Sequence, residues 1–320
     1  MDNGWEVHFL IPDVELNQPF ASQKIHLISS KFLNFVTAAT QKLRSLGVEY
    51  VHFLNPEVKA AALSLLNRQV KVVGDWEDWH AVSRDSGLRK YVTRFCDRYM
   101  LKKSDIVVTA SHWLAEKFQA DTGSNAHYIP YAILPKKFPT LPNPFSEPTA
   151  VFMGTFHKNW DHDLLIDAVV ELGRRGMTPQ ICMIGKGEDL ERCKSIVESN
   201  GLTNITFAGF LDWDDMLNRL CWAHVLLFPI RDEIWNRARC PFKVFQYAQA
   251  KRPVLTCRVG EIPTFLGDKA SYVDSTPQAF ADRLELLMSQ ERLPNIDYGI
   301  EKHTWSSRGH DFERALMTKP

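Results

Sequence analysis

The stretch 228–247, FPIRDEIWNRARCPFKVFQY, carries the densest reactive chemistry in the chain. An apolar strand ends at Pro229, a polar loop follows with Arg237 and Arg239, and Pro241 marks the first turn of a helix with Lys243 and Gln246 close behind. Cations fixed beside a strand end and a helix start suit an anion whose charge grows as a bond breaks. A diphosphate leaving group is such an anion, and one Arg can bridge two of its oxygens. A solvated basic loop is the alternative for the same residues.

A second turn points the same way. After an apolar run at 150–153 come Gly154, Thr155, Phe156, His157 and Lys158, a strand-to-helix turn whose glycine, hydroxyl and ammonium could hold phosphate oxygens. A plain capped turn explains it equally well, with Asp161 at the helix start. Asp161-His162-Asp163 matches an Asp-x-Asp metal motif in form. Two aspartates at a helix N-terminus are accounted for by capping and the macrodipole, so no metal ligands are assigned. The six cysteines form no Cys-x-x-Cys pair and read as buried free thiols.

These residues need elements that position them. Short β-branched or apolar runs at 6–11, 50–54, 71–74, 106–110, 150–153, 180–184, 205–208, 225–228 and 253–256 alternate with helical-period runs, the pattern of parallel βαβ units. The helical runs include 32–46, 88–103, 162–175, 189–199, 213–223, 241–250, 278–289 and 306–316. The alternation breaks at 134–144, where four prolines forbid a continuous helix or central strand. The expected organisation is α/β: a first doubly wound, Rossmann-like domain over 1–138, a linker over 139–147, a second such domain over 148–300 and a final helical segment over 301–320. Ligands of such domains sit in the cleft at the carboxyl ends of the strands.

Composition excludes several classes. The 320 residues are 45% hydrophobic and 24% charged, ordinary for a water-soluble fold, and 38 basic side chains balance 38 acidic ones. No global field favours nucleic acid, which is not expected as a partner. No apolar run approaches the ~18–20 residues that span a bilayer, and the opening Met1-Asp2-Asn3-Gly4-Trp5 lacks a signal layout, so a cytoplasmic location is expected. Charge is uneven locally. Residues 89–103 hold six cations against Asp97 alone, a net +5, with Lys90, Arg94, Arg98 and Lys102 beside an apolar stripe of Leu88, Tyr91, Phe95 and Tyr99. A basic amphipathic helix of this kind suits weak contact with an anionic membrane, or is a solvated face.

From about 150 to 290 the segments resemble the donor domain of the retaining glycosyltransferases of family 4, which have the GT-B fold of two Rossmann-like domains facing across a cleft. The resemblance rests on the turn 154–158, MIGKGEDLERC from Met183, LTNITFAGFLDWDDMLNRLCWAHVLLFP from Leu202, NRARCPFKVFQYAQAKRPVL from Asn236 and GEIPTFLGDKASYV from Gly260. In the first half VVGDWEDWH from Val72, KKSDIVVTASHWLAEKF from Lys102 and HYIPYAI from His127 resemble the acceptor domain. HTWSSRGHDFERAL from His303 resembles the helix that packs back across the cleft.

The resemblance implies transfer of a sugar from a nucleotide-activated donor to a glycan, lipid-linked or small-molecule hydroxyl, with retention and without a cofactor. It places Gly154, Thr155, Gly185, Lys186, Phe210, Asn236, Arg237 and Gln246 at the donor, and Lys158, Arg239 and Lys243 at the diphosphate. It leaves Asp78 and His80 as the acceptor-side candidates to meet the transferred sugar. The sequence departs from the family in two places. The usual pair of glutamates would fall at Ala238 and Gln246, so both carboxylates are replaced, although Gln246 can still hydrogen-bond a ribose diol. The chain also opens on GWEVHFLIP, which resembles a second strand, where complete members start one strand and a Gly-rich loop earlier. These departures keep open a non-catalytic nucleotide-sugar binding or scaffold protein of GT-B fold. The expected location is cytoplasmic, with peripheral contact at the inner face of the membrane through the 88–103 helix.

Overall fold

Alternating apolar runs and amphipathic helices produce parallel strands throughout. The computed structural model describes residues 5–12, 24–28, 31–82, 87–133, 138–158, 160–291 and 293–318. In the first half β1 (Phe9–Pro12) and β2 (Ile25–Ile28) form a two-stranded parallel sheet, followed by α1 (Phe32–Leu46). Then come β3 (Tyr50–Leu54), α2 (Val58–Leu66), β4 (Lys71–Trp76), α3 (Leu88–Lys103), β5 (Ile106–Thr109), α4 (His112–Thr122) and β6 (Ala126–Tyr128). Strands β3 to β6 make a second parallel sheet in sequential order.

The second half runs β7 (Thr149–Met153), α5 (His162–Arg174), β8 (Gln180–Ile184), α6 (Leu190–Ser199), β9 (Ile205–Gly209), α7 (Trp213–Trp222) and β10 (Val225–Phe228). It continues with α8 (Ile234–Arg237), α9 (Lys243–Ala250), β11 (Val254–Cys257), α10 (Ile262–Leu266), β12 (Ser271–Val273) and α11 (Pro277–Met288). Its six parallel strands lie in the order β12-β11-β10-β7-β8-β9, so the direction of winding reverses between β7 and β10. That reversal opens a crevice at the carboxyl ends of these two strands.

Burial explains the strength of this half. Strands β8, β10 and β11 are almost wholly buried, as unbroken apolar runs in a sheet covered on both faces must be. One continuous core takes in residues from Ala150 to Ile300 together with Ala110 of the first half, each fully buried Leu or Phe contributing roughly 1.5–3 kcal/mol. The first half has smaller clusters. On β4, Val72 and Trp76 join Met100, Leu114 and Phe118 from α3 and α4. The alternate residue Val73 faces Ala315 of α12 (Trp305–Met317), because successive strand side chains point to opposite faces.

Helix α12 thus belongs to the first half in space, tied there by the Tyr50 hydroxyl to the Leu316 carbonyl at 3.3 Å and by a His52–Phe312 ring contact. Of the proline-rich stretch, residues 134–137 lie outside the described residues. The remainder, 138–148, is neither helix nor strand and is held to the second half by Trp222 Nε1 donating to the Leu141 carbonyl and Asn218 Nδ2 to that of Pro142.

Two local expectations are corrected. Pro241 precedes the helix rather than opening it: a turn closed by Val244 N–H on the Pro241 carbonyl leads into α9 at Lys243. The loop bearing Arg237 contains a helical turn of its own, α8.

Candidate functional site

Four loops meet at the carboxyl edge of the second sheet: 154–161 after β7, 185–189 after β8, 229–242 after β10 and 258–261 after β11. Backbone bonds fuse the first two, with Gly154 N–H on the Ile184 carbonyl at 2.9 Å and Phe156 N–H on that of Lys186 at 3.0 Å. The contact is so close that a Cβ on Gly185 would fall 1.8 Å from the Gly154 oxygen, and Gly185 has φ of +143°. Glycine is the residue that fits there. The resemblance places Gly185 at the donor; its visible task is to let the loops touch.

Lys243, on the first turn of α9, reaches back over the switch point. Its Nζ lies 4.6 Å from the Phe152 ring centre and 4.8 Å from that of Phe228, side chains near the carboxyl ends of β7 and β10. A Cβ on Gly154 would stand 2.5 Å from this ammonium, so Gly154 leaves the space Lys243 occupies. Burial, and secondarily the Arg239 guanidinium, push Lys243 down to about 7. Arg239 lies with its guanidinium 3.8 Å from the Trp160 ring centre, its Nε buried without a hydrogen-bond partner. Burial pulls Arg239 down to about 10, opposed by Asp78 and then Asp161. Among the described residues neither Arg239 nor Lys243 has a carboxylate within ion-pair distance. Two like charges held together this way favour an anion between them.

The loop that carries Arg239 is anchored from below. Asp161 is buried and accepts from Arg231 N–H at 2.9 Å, from its guanidinium at 3.1 Å and from Asn236 Nδ2 at 2.9 Å. It sits at the N-cap of α5 without making a capping bond. The capping account of Asp161 is therefore wrong: its short side chain is already consumed by the neighbouring loop. Asp163 pairs with Arg192 at 2.9 Å, so the two aspartates of the Asp-x-Asp match serve different partners.

A different group, His162, Asp189 and Cys193, brings three potential metal ligands within 4.8 Å of one another, all buried. Arg192 already grips both Asp189 oxygens, at 2.7 and 2.6 Å, and a guanidinium opposes a further cation. His162 stacks on Phe156 and faces the Thr155 carbonyl with Nε2, and burial pushes it down to about 4.

The other candidates scatter. Arg237 points to solvent and forms a two-toothed pair with Asp232, at 2.6 and 2.7 Å. Thr155 and Lys158 are exposed on the first loop, and Phe210 is exposed with the Lys186 ammonium 4.4 Å from its ring centre. Gln246 is buried within α9. Ala238 is fully buried and joins the apolar cluster of the first half around Trp76 and Phe118.

Across from the cations, Asn55 accepts the backbone N–H groups of Glu77 and Asp78, which fixes the loop after β4. Asp78 is electrostatically coupled to Arg239. His80 instead pairs with Glu57 at 2.8 Å, in a 3-10 turn packed against α8. Sequence reasoning missed the rest of the contact between the halves. Glu261 is buried and accepts from His112 N–H at 2.6 Å and from the Tyr128 hydroxyl at 2.8 Å. Tyr131 lies beside the Glu77 carboxylate; burial, and then that carboxylate, raise the Tyr131 phenol, and its ring crosses Phe242 at 5.9 Å. A glutamate inside an otherwise apolar GEIPTF run was the available signal.

Two parallel α/β halves, with the cation pair between them at a switch point, are the GT-B fold. A family model described as glycosyl transferases group 1 matches residues 147–290. No curated protein matches the chain. Among solved structures, sucrose-phosphate synthase from Thermosynechococcus elongatus is similar over 98% of this chain and 88% of its own, with 15% identity and a TM-score of 0.76. HepE from Anabaena, solved with UDP and glucose, is similar over 92% and 86%, at 12% identity and a TM-score of 0.70. The pneumococcal O-GlcNAc transferase GtfA, solved with UDP and GlcNAc, is similar over 89% of this chain but only 60% of its own, at 14% identity and a TM-score of 0.67. Helix α3 and the other described helices include none long and apolar enough to cross a membrane.

Proposed function

We propose that this chain transfers a sugar from a nucleotide-activated donor to a hydroxyl acceptor, with retention of anomeric configuration and without a required metal. The observation that carries the reading is the pairing of Arg239 and Lys243 at the switch point, partly desolvated and, among the described residues, without a carboxylate at ion-pair distance. The family-model match over 147–290 and the nucleotide-bound relatives support a nucleotide sugar as that anion. In this reading the diphosphate binds between the two cations, and its growing charge is stabilised by groups already in place. Thr155 and Lys158 approach from the first loop. Asn236 holds the second loop through Asp161, and Arg237 is released from Asp232 only if it joins the donor. Asp78 faces the sugar from the other half, and the acceptor hydroxyl enters on the face the diphosphate leaves.

A second reading, a nucleotide-sugar binder without turnover, is favoured by Ala238. The position where the family resemblance implies a carboxylate is packed in an apolar cluster and offers no group to the cleft. Incubation with a panel of nucleotide sugars decides between them. Release of nucleoside diphosphate is expected for a transferase, while thermal stabilisation without release identifies the binder. Failure of every nucleotide sugar to stabilise the fold removes both.

A further inference from the structure

Helix α3 carries its apolar side chains on the outside. Cys96, Asp97, Met100 and Leu101 face the core, whereas Leu88, Tyr91 and Phe95 are 80%, 69% and 72% exposed. At ~100° per residue Tyr91, Phe95, Arg98 and Lys102 fall within about 60° on one face, so an apolar patch over the first two turns runs directly into a basic one. Large aromatic rings gain nothing in water, and a single exposed one needs no account. Here they stand together, in a segment of net +5 within a chain whose charges cancel overall.

We propose that this face of α3 docks on the surface of an anionic lipid bilayer, Tyr91 and Phe95 entering the headgroup boundary and Arg98 and Lys102 meeting the lipid phosphates. Charge complementarity commits the surface to that occupant. A protein partner would bury the rings equally well but gives no reason for unbalanced cations on the same stripe. Arg94 serves a different purpose, its Nε donating to the Ala81 carbonyl at 3.1 Å and bracing α3 against the preceding turn. The Asp97 carboxylate, the one anion of the segment, is turned inward onto Trp76 and Trp79, at 2.7 and 3.1 Å, so it does not oppose the lipid. None of these four side chains belongs to the Arg239–Lys243 site, so the proposal stands or falls independently of the transferase reading.

Each cation within a Debye length of the bilayer raises partition by roughly fivefold, and that length is about 8 Å at physiological salt. The test is co-sedimentation of the full chain with vesicles of phosphatidylcholine alone and of phosphatidylcholine with phosphatidylglycerol. The chain should pellet with the second only, and high salt should release it. Arg98→Glu with Lys102→Glu should lower partition at least on the order of 30-fold, and Tyr91→Ser with Phe95→Ser should weaken it at low salt. All four residues lie on the outer face, and circular dichroism confirms folding of each variant. No pelleting at low salt overturns the proposal, as does binding unchanged in both double variants. So does a vesicle-free dimer that Tyr91→Ser with Phe95→Ser dissolves, which would make the face an interface between copies of the chain.

Discussion

The carboxylate of Asp161 accepts a 2.9 Å hydrogen bond from the side-chain amide of Asn236, 75 positions further along the chain. This bond joins the loop after β7 to the loop after β10, across the switch point. The same carboxylate receives the Arg231 guanidinium, so one buried acid sets the course of the segment leading to Arg239.

Asp161→Asn is therefore expected to act on the loop rather than on helix α5. A lost N-cap costs ~1 kcal/mol, whereas loss of a buried charge-assisted set costs roughly 1.5–3 kcal/mol and leaves Arg231 without its partner. Thermal melting should show the larger value, and calorimetry should show weaker nucleoside-diphosphate binding. A loss of 1 kcal/mol or less with binding intact would return Asp161 to a simple cap.

Lys243 gives a pH signature with a definite sign. Its folded pKa, about 7, lies below its ordinary value of 10.5, so between these limits the unfolded chain binds more protons and stability rises with pH. Diphosphate binding must run the other way, because the anion needs the charged amine. Affinity should fall as pH rises above about 7, with proton uptake on binding. Lys243→Met should flatten both trends, raise the melting temperature of the free protein at pH 6 and weaken diphosphate binding by roughly 1.5–3 kcal/mol. A pH-independent affinity would take Lys243 out of the anion site.

The glycines of the crevice predict two different failures. Gly154→Ala pushes a methyl group onto a flexible ammonium, so the fold should persist while diphosphate affinity drops. Gly185→Ala instead sets a Cβ against a backbone carbonyl at positive φ, and should destabilise the protein by ~2 kcal/mol or more. Parallel melting curves distinguish them, and equal losses would show that both act only through packing.

Gln246 is expected to contact ribose even though it lies low in α9. Gln246→Glu should retain ribonucleotide binding, while Gln246→Leu should lose roughly 1–3 kcal/mol for a nucleoside diphosphate and nothing for inorganic diphosphate. If the Leu variant binds the ribonucleotide as tightly as the parent, Gln246 is a core residue.

The second half was largely legible from its sequence because its signals are local. Buried parallel strands read as apolar runs, and each carries its candidate loop immediately after it, so the placement of Gly154, Arg239 and Lys243 at the carboxyl edge of the sheet was legible locally. Strands β2, β6 and β12 escaped notice because three or four residues show no period. The role of Asp161 escaped because its partners are 70 and 75 residues away. Ala238 illustrates the same limit: in sequence it belongs to the loop after β10, in space to the core of the other half. Arg237 was expected with the cation pair, but solvent and Asp232 compete for its guanidinium more cheaply than burial would.

The placement of α12 has a consequence for how the molecule comes into being. One face of β4 is closed by Ala315, so the first half, though early in the sequence, stays open on that side until residues beyond 305 have left the ribosome. The second half, with a continuous core of its own, can form meanwhile and deliver the closing helix into place. Synthesis order and completion order are thus inverted, and any stop before 305 would yield a well-formed second half carrying an unfinished first one.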